Sequence, residues 1–279
     1  SLTATQSLKE GDIQYETFTA RVTDDKGAIA DQAITISVNG SNDVPVFDVS
    51  INDQVFTEDV GAAAQDLNTS GVIAFSDVDA SSTIDVSSSL KTAAVWSGGT
   101  IPSTLKTALE SAFSISGTDV SAPGSVNWSY NTTGLDLDFI NANESVSLPF
   151  TVTITDDQGA TASDDVTITI NGTNDGPLVI SSSSDASGYV TEAGHNDDGT
   201  LVSGTSIATG TLSSSDLDIN ATSTWTVDGG SSSTGTYGSL TITSAGVWTY
   251  TLDNSLTATQ SLKEGDIQYE TLAVQITLI

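Results

Sequence analysis

The chain has 279 residues, 36 of them acidic and only 6 basic, giving a formal charge of −30, yet 37% are hydrophobic and the mean hydropathy is −0.01. That apolar content excludes a disordered acidic tail, and the scarcity of basic residues excludes nucleic acid and anionic membrane surfaces as partners. Without cysteine there is no disulfide and no thiol chemistry, and no apolar run reaches the length of a membrane span.

From the N-terminus, period-two alternation predicts a hairpin. Its strands are Phe18–Thr23 and Ala33–Val38, joined by Asp24-Asp25-Lys26-Gly27. The second strand runs into Asn39-Gly40-Ser41-Asn42-Asp43-Val44-Pro45, where proline stops a central strand and oxygen-bearing side chains collect. A D-x-D follows at Asp77 and Asp79. The one helix expected covers Ser103–Phe113, with Pro102 at its start and Leu105, Ala108, Leu109, Ala112 and Phe113 on one stripe. Trp128 and Tyr130 alternate on one strand face and are expected in the core. Phe150–Thr155, Asp156-Asp157-Gln158-Gly159 and Val166–Ile170 form a second hairpin with the same turn chemistry, closed by a second linker, Asn171-Gly172-Thr173-Asn174-Asp175-Gly176-Pro177. A second D-x-D, Asp216 and Asp218, and a second aromatic pair, Trp248 and Tyr250, come next. Leu272, Val274 and Ile276 alternate as a last strand.

An internal repeat organises these elements. Ser1–Thr17 returns unchanged as Ser255–Thr271, an offset of 254 residues, and Phe75–Asp79 and Val126–Tyr130 have divergent counterparts in Leu212–Asp218 and Val247–Tyr250. Two kinds of module therefore alternate. Residues 1–42 read as the C-terminal part of one, 43–175 as a complete module and 176–279 as the front of a third, of the same kind as the first. The opening at Ser1, without methionine or a signal-like segment, reads as an internal piece of a longer array. The fold class expected is all-β, as tandem immunoglobulin-like sandwiches with one short helix in the middle module.

In such a sandwich the D-x-D and the last hairpin turn lie at the end that the incoming linker reaches. Asn42, Asp43, Asp77, Asp79, Asp156 and Asp157 should then converge at the first linker. Ca2+ takes about six to eight oxygen ligands, and carboxylates so gathered repel strongly without a cation among them. Ca2+ is thus the expected cofactor. The single histidine, His195, is expected in a polar surface loop, Ala193–Gly199, with no second histidine or cysteine, so neither a transition-metal cluster nor a catalytic triad is read there, and no enzyme is expected.

The segments Tyr237–Ile242 leading to Trp248-Thr249-Tyr250, Phe150–Gly159 and Asn171–Pro177 resemble the VCBS-type, cadherin-like repeats of giant bacterial RTX adhesins, and the first linker resembles the cadherin junction. The resemblance implies that Asn42, Asp43, Asp77, Asp79 and a hairpin aspartate serve one junction, with Asp12 or Glu10 from below. It assigns Asn174, Asp175, Asp216 and Asp218 to another, with Glu58 or Glu144 below. It further implies an extracellular, secreted stalk at a bacterial cell surface, spacing a ligand-binding tip for attachment or biofilm formation, whose partners are neighbouring repeats. The alternative is a module that itself binds carbohydrate or another flat surface through the ladder of Thr151, Thr153, Thr155, Thr167 and Thr169. Head-to-tail self-association by strand completion is also expected, with Asp24 and Asp25 supplying the hairpin ligands that the third module lacks beside Asp216 and Asp218.

Overall fold

The computed structural model describes residues 2–61, 64–116, 119–219, 221–228 and 232–278. It divides into two compact units, Ser1–Thr173 and Asn174–Ile279.

The first unit opens with a short helix, α1 (Leu2–Gln6), and an antiparallel hairpin of β1 (Ile13–Thr23) and β2 (Ile29–Asn39), paired from Ile13 opposite Asn39 to Thr23 opposite Ile29. The turn is held by Asp24, whose Oδ1 accepts the N–H groups of Lys26 (2.9 Å) and Ala28 (2.8 Å), while Gly27 takes a positive φ of 86° that a residue with Cβ resists. Next come β3 (Val46–Phe47), β4 (Gln54–Thr57), β5 (Asn68–Ser76), β6 (Thr83–Leu90) and β7 (Val95–Trp96). Helix α2 (Ser103–Glu110) leads to β8 (Phe113–Ser116), β9 (Val120–Ser121), β10 (Gly124–Asn131), β11 (Ser145–Asp156) and β12 (Thr161–Asn171). Two sheets result, ordered β3-β5-β10-β8 and β4-β12-β11-β6-β9, with β7 beside β11 and β4 running parallel to β12.

Alternation explains the sandwich. Along β11 every second residue from Val146 to Ile154 is buried, so one face of this strand is apolar and the other carries serine and threonine. Facing them from β10 are Val126, Trp128 and Tyr130, all buried, and the phenol of Tyr130 donates to the carbonyl of Leu109 at 3.1 Å. Helix α2 stops at Glu110, earlier than the expected Phe113. Phe113 opens β8 instead, because its ring stacks on Trp128 (4.9 to 5.3 Å separates it from Phe150 and Trp128). Aromatic burial outweighs continuing an eight-residue helix. The structure also adds two short helices to the one expected, both within the repeated segment.

The second unit contains β13 (Leu178–Val179), β14 (Gly194–His195), β15 (Leu201–Val202), β16 (Ile207–Thr211), β17 (Ser214–Ser215), β18 (Ser223–Val227) and β19 (Ser232–Thr234). It continues with β20 (Gly238–Ile242), β21 (Val247–Leu252), helix α3 (Thr257–Gln260) and β22 (Val274–Leu278). A sheet ordered β16-β21-β20-β19 and the β18–β22 pair enclose a small core of Leu212, Trp225, Leu240 and Trp248. His195 is exposed, and it pairs across β14–β15 rather than lying in an unpaired loop. Among the described residues no helix is long and apolar enough to cross a membrane.

Candidate metal centre

The linker between β2 and β3 is fixed by hydrogen bonds that only its own residue types supply. Gly40 packs against the Leu8–Asp12 turn so closely that a Cβ would sit 2.2 Å from the carbonyl oxygen of Lys9, and its N–H donates to the carbonyl of Asp12 at 2.9 Å. Two residues on, Asn42 Nδ2 donates to its neighbour's carbonyl at Asp43 (2.9 Å) and to Asp156 Oδ2 (2.8 Å). The N–H of Asp43 donates to Asp79 Oδ2 at 2.8 Å, and that of Asp79 donates to Asp77 Oδ1 at 2.9 Å. The D-x-D is therefore an Asx turn locked to the linker. At the end of β11, Asp156 Oδ1 accepts the N–H groups of Gln158 (2.9 Å) and Ala160 (2.8 Å), the turn that Asp24 makes in the first hairpin. Ser82 Oγ bridges Asp77 Oδ2 (3.1 Å) and Asp157 Oδ1 (3.4 Å). Asn42, Asp43, Asp77, Asp79, Asp156 and Asp157 thus form one connected group.

Electrostatics makes this group unusual. Asp79 is 3% exposed and Asp156 5%. Burial pushes the Asp79 carboxyl above the usual carboxylate range, opposed by the Asp43 N–H and reinforced by the charges of Asp77, Asp43 and Asp156. Its Oδ1 is buried and accepts no hydrogen bond from the described residues. A buried carboxylate oxygen beside three like charges is the environment that a hard, oxygen-seeking cation relieves, and the donor set of carboxylates and an amide is the kind that Ca2+ takes. These residues fit the ion.

The second linker repeats the pattern inside the second unit. Asn174 Nδ2 donates to the carbonyl of Asp175 (2.7 Å), the N–H of Asp175 donates to Asp218 Oδ2 (2.9 Å), and that of Asp218 donates to Asp216 Oδ1 (3.0 Å). Asp216 Oδ2 is buried and accepts no hydrogen bond from the described residues. Near the end of the first unit, Glu58 Oε1 accepts from both the N–H and the hydroxyl of Thr173 at 2.9 Å. A carboxylate oxygen of Asp138 lies within 4.8 Å of one from Glu58, and both residues are buried.

Asp138 is absent from the sequence reading, although Leu135-Asp136-Leu137-Asp138 is itself a D-x-D, with Leu137 buried on the alternate face. Glu144 Oε2 accepts the indole N–H of Trp96 (3.0 Å) and the N–H of Asn141 (3.2 Å), so it closes a turn and anchors a core tryptophan. Asp12 Oδ2 accepts the N–H of Lys9 at 3.3 Å, and Glu10 is exposed. Asp24 and Asp25 lie at the tip of the β1–β2 hairpin, where Asp25 Oδ2 pairs with Lys26 Nζ at 3.0 Å.

The chain matches no protein-family model and no curated protein. Among solved structures it is similar to extracellular cadherin domains 1–5 of protocadherin gamma B2, at 11% identity and a TM-score of 0.38, over 88% of this chain and 39% of that one. It is also similar to domains EC1–3 of mouse clustered PcdhgC3, at 15% identity and a TM-score of 0.37, over 89% and 69% of the two chains. A third is human CDH23 EC21–23, at 14% identity and a TM-score of 0.33, over 86% and 64%. The chain spans less than two fifths of the protocadherin gamma B2 fragment.

Proposed function

We propose that this chain is a run of Ca2+-stiffened extender modules from the stalk of a bacterial cell-surface adhesin of the VCBS-type, cadherin-like kind, with module boundaries at 42/43 and 175/176. One observation carries the reading: a buried, charge-crowded Asp79 ties linker, D-x-D and hairpin turn into one group, and the linker and D-x-D part of that pattern recurs at Asn174, Asp175, Asp216 and Asp218. In this reading the ligands are Asn42, Asp43, Asp77, Asp79, Asp156 and Asp157 at the first linker. Asn174, Asp175, Asp216 and Asp218 serve the second linker, and Glu58 with Asp138 close the end of the middle module. The ion does no chemistry. It neutralises converging acids and so fixes the orientation of successive modules, which is what a spacer needs.

Small-angle scattering at low salt tests this. The particle is expected to be longer and more uniform in Ca2+ than in chelator. Superimposable profiles would overturn the structural-metal reading.

The glycan-binding alternative loses ground because all four indoles are buried, leaving the threonine ladder without a tryptophan platform, and Thr151 and Thr153 are engaged with Asp165 and Ser163. Self-association retains support, since one face of the β1–β2 hairpin exposes Phe18 (54%), Ile34 (46%) and Ile36 (47%), an apolar surface of the kind that strand addition covers. Light scattering at high protein concentration in Ca2+ is expected to show larger species for the whole chain than for a version lacking residues 1–42. Two monomers would end that part of the reading.

A further inference from the structure

One ammonium stands among the acids of the first linker. Lys9 Nζ donates to Asp157 Oδ2 at 2.9 Å, with the two side chains only 26% and 29% exposed. Asp157 raises the lysine most, with further contributions from Asp12 and Asp79, and Lys9 in turn holds the Asp157 carboxyl below its usual range. Lys9 therefore feels the charge of Asp79 itself, the carboxylate whose Oδ1 is buried and accepts no hydrogen bond from the described residues.

The turn that carries Lys9 occurs three times with one geometry. The N–H of Lys9 donates to Asp12 Oδ2 (3.3 Å), that of Lys263 to Asp266 Oδ2 (3.0 Å), and that of Asn141 to Glu144 Oε2 (3.2 Å). Gly40 and Gly172 seal the first and the middle copy alike, through N–H bonds to the carbonyls of Asp12 (2.9 Å) and Glu144 (3.0 Å). The middle module thus places a neutral asparagine where the other kind places lysine. Three residues earlier the contrast continues. In the second unit Gln260 Nε2 donates to Glu192 Oε1 at 2.9 Å, whereas the matching position of the middle module is Asp138, whose carboxylate lies within 4.8 Å of that of Glu58. One kind of module end carries Lys and Gln, the other Asn and Asp, a difference of two charges.

We infer that Lys9 is a tethered cation that fills one cation position of the linker following a module of the first kind, so this linker takes fewer divalent ions, or holds them more weakly, than a lysine-free linker would. The inference rests on the Ca2+ reading above. An ammonium nitrogen 2.9 Å from Asp157 Oδ2 claims the space and charge that a Ca2+ ion at about 2.4 Å from the same oxygen needs, and the two repel. The middle module brings no such cation at Asn141 and adds Asp138, so its end depends on supplied metal. An array alternating the two kinds then stiffens in two steps as Ca2+ rises.

Calorimetric Ca2+ titration of the whole chain tests this with three variants, each checked for folding by circular dichroism. Lys9→Gln is expected to add one bound ion or to tighten the weakest step by about tenfold, roughly the effect of removing one close like charge. Lys91→Gln makes the same change of net charge at the Lys91–Asp165 pair on the sheet face (2.5 Å) and is expected to leave the titration unchanged. Asp79→Asn is expected to weaken binding. If Asp79→Asn weakens binding while Lys9→Gln matches wild type, the inference is wrong and the metal reading stands. If Lys91→Gln tightens binding as much as Lys9→Gln, lysine acts only through net charge and the inference is again wrong. Absence of Ca2+ binding in wild type removes both.

Discussion

In chelator, Asp79→Asn raises the melting temperature of the first unit; in saturating Ca2+ the same substitution lowers it below wild type. The reversal follows from the position of one carboxylate. Asp79 is buried, and its charge is opposed by desolvation first and then by Asp77, Asp43 and Asp156. Asparagine keeps a carbonyl oxygen to accept the N–H of Asp43, now 2.8 Å from Oδ2, while discarding the charge. Relief of one crowded buried charge is worth on the order of 1–2 kcal/mol. At about 2–4 °C per kcal/mol for a unit of this size, that is a rise of roughly 2–8 °C without metal. With metal the balance inverts, because a site bound at a hundred times its dissociation constant contributes about 2.7 kcal/mol that the variant largely loses. Scanning calorimetry in chelator and in Ca2+ reads both signs. A variant less stable in both conditions would make Asp79 a simple hydrogen-bond acceptor and sink the cation reading.

The pH profile carries the same signature. The folded-state value of Asp79 lies above the ordinary carboxylate value, so between the two the folded chain holds a proton that the unfolded chain has lost. The associated stability is fully present below the ordinary value and is lost as pH rises through the folded one. Wild type in chelator is therefore expected to lose stability across that window, and Asp79→Asn to lose less.

Strand content was legible wherever one face of a strand meets the core. Phe150–Thr155 and Val166–Ile170 fall within β11 and β12 because burial on one side and solvent on the other imposes period two. Identical sequence shows the limit of that logic. Ile13–Thr17 lies in β1, whereas the same five residues at Ile267–Thr271 lie in no strand, with Tyr269 91% exposed. The ladder partner decides the difference: Ile13–Thr17 pairs with Thr35–Asn39 of β2, and Ile267–Thr271 pairs with no strand among the described residues. Chain-local propensity cannot encode that. The linker and D-x-D acids were legible for the opposite reason, since Asx turns are local and demand aspartate or asparagine at set positions. Lys9 against Asp157 was not, because the pair spans 148 positions, and Asp138 against Glu58 is likewise a meeting of distant segments. The bond from the Trp96 indole to Glu144 was not legible either, since the two are 48 positions apart.

Phe150→Ala is expected to lower the melting temperature of the first unit by the same amount with and without Ca2+. The ring is 2% exposed, stacked on Phe113 at 4.9 Å and edge-on to Tyr130 at 6.3 Å, so it joins the two sheets at the middle of the core. Truncating a phenylalanine so placed costs about 3–5 kcal/mol, through lost burial and the cavity left behind. At about 2–4 °C per kcal/mol this is a drop of roughly 6–20 °C, the largest single-residue effect expected here. Asp156 lies on the same strand, six residues further along, which at about 3.3 Å per residue places the acids some 20 Å from the ring. Sites that far apart without shared partners add to within about 0.5 kcal/mol, so Phe150→Ala with Asp79→Asn should show the sum of the two effects in each condition. The contrast is the mechanical point: on the proposed reading, a sandwich held by its own aromatic core keeps its fold with or without metal while Ca2+ acts only on its ends, so that a spacer would change stiffness without unfolding. Thermal scans of Phe150→Ala, Asp79→Asn and the double variant decide it, and a Phe150→Ala shift that depends on Ca2+ would show that core and linker acids are one cooperative element.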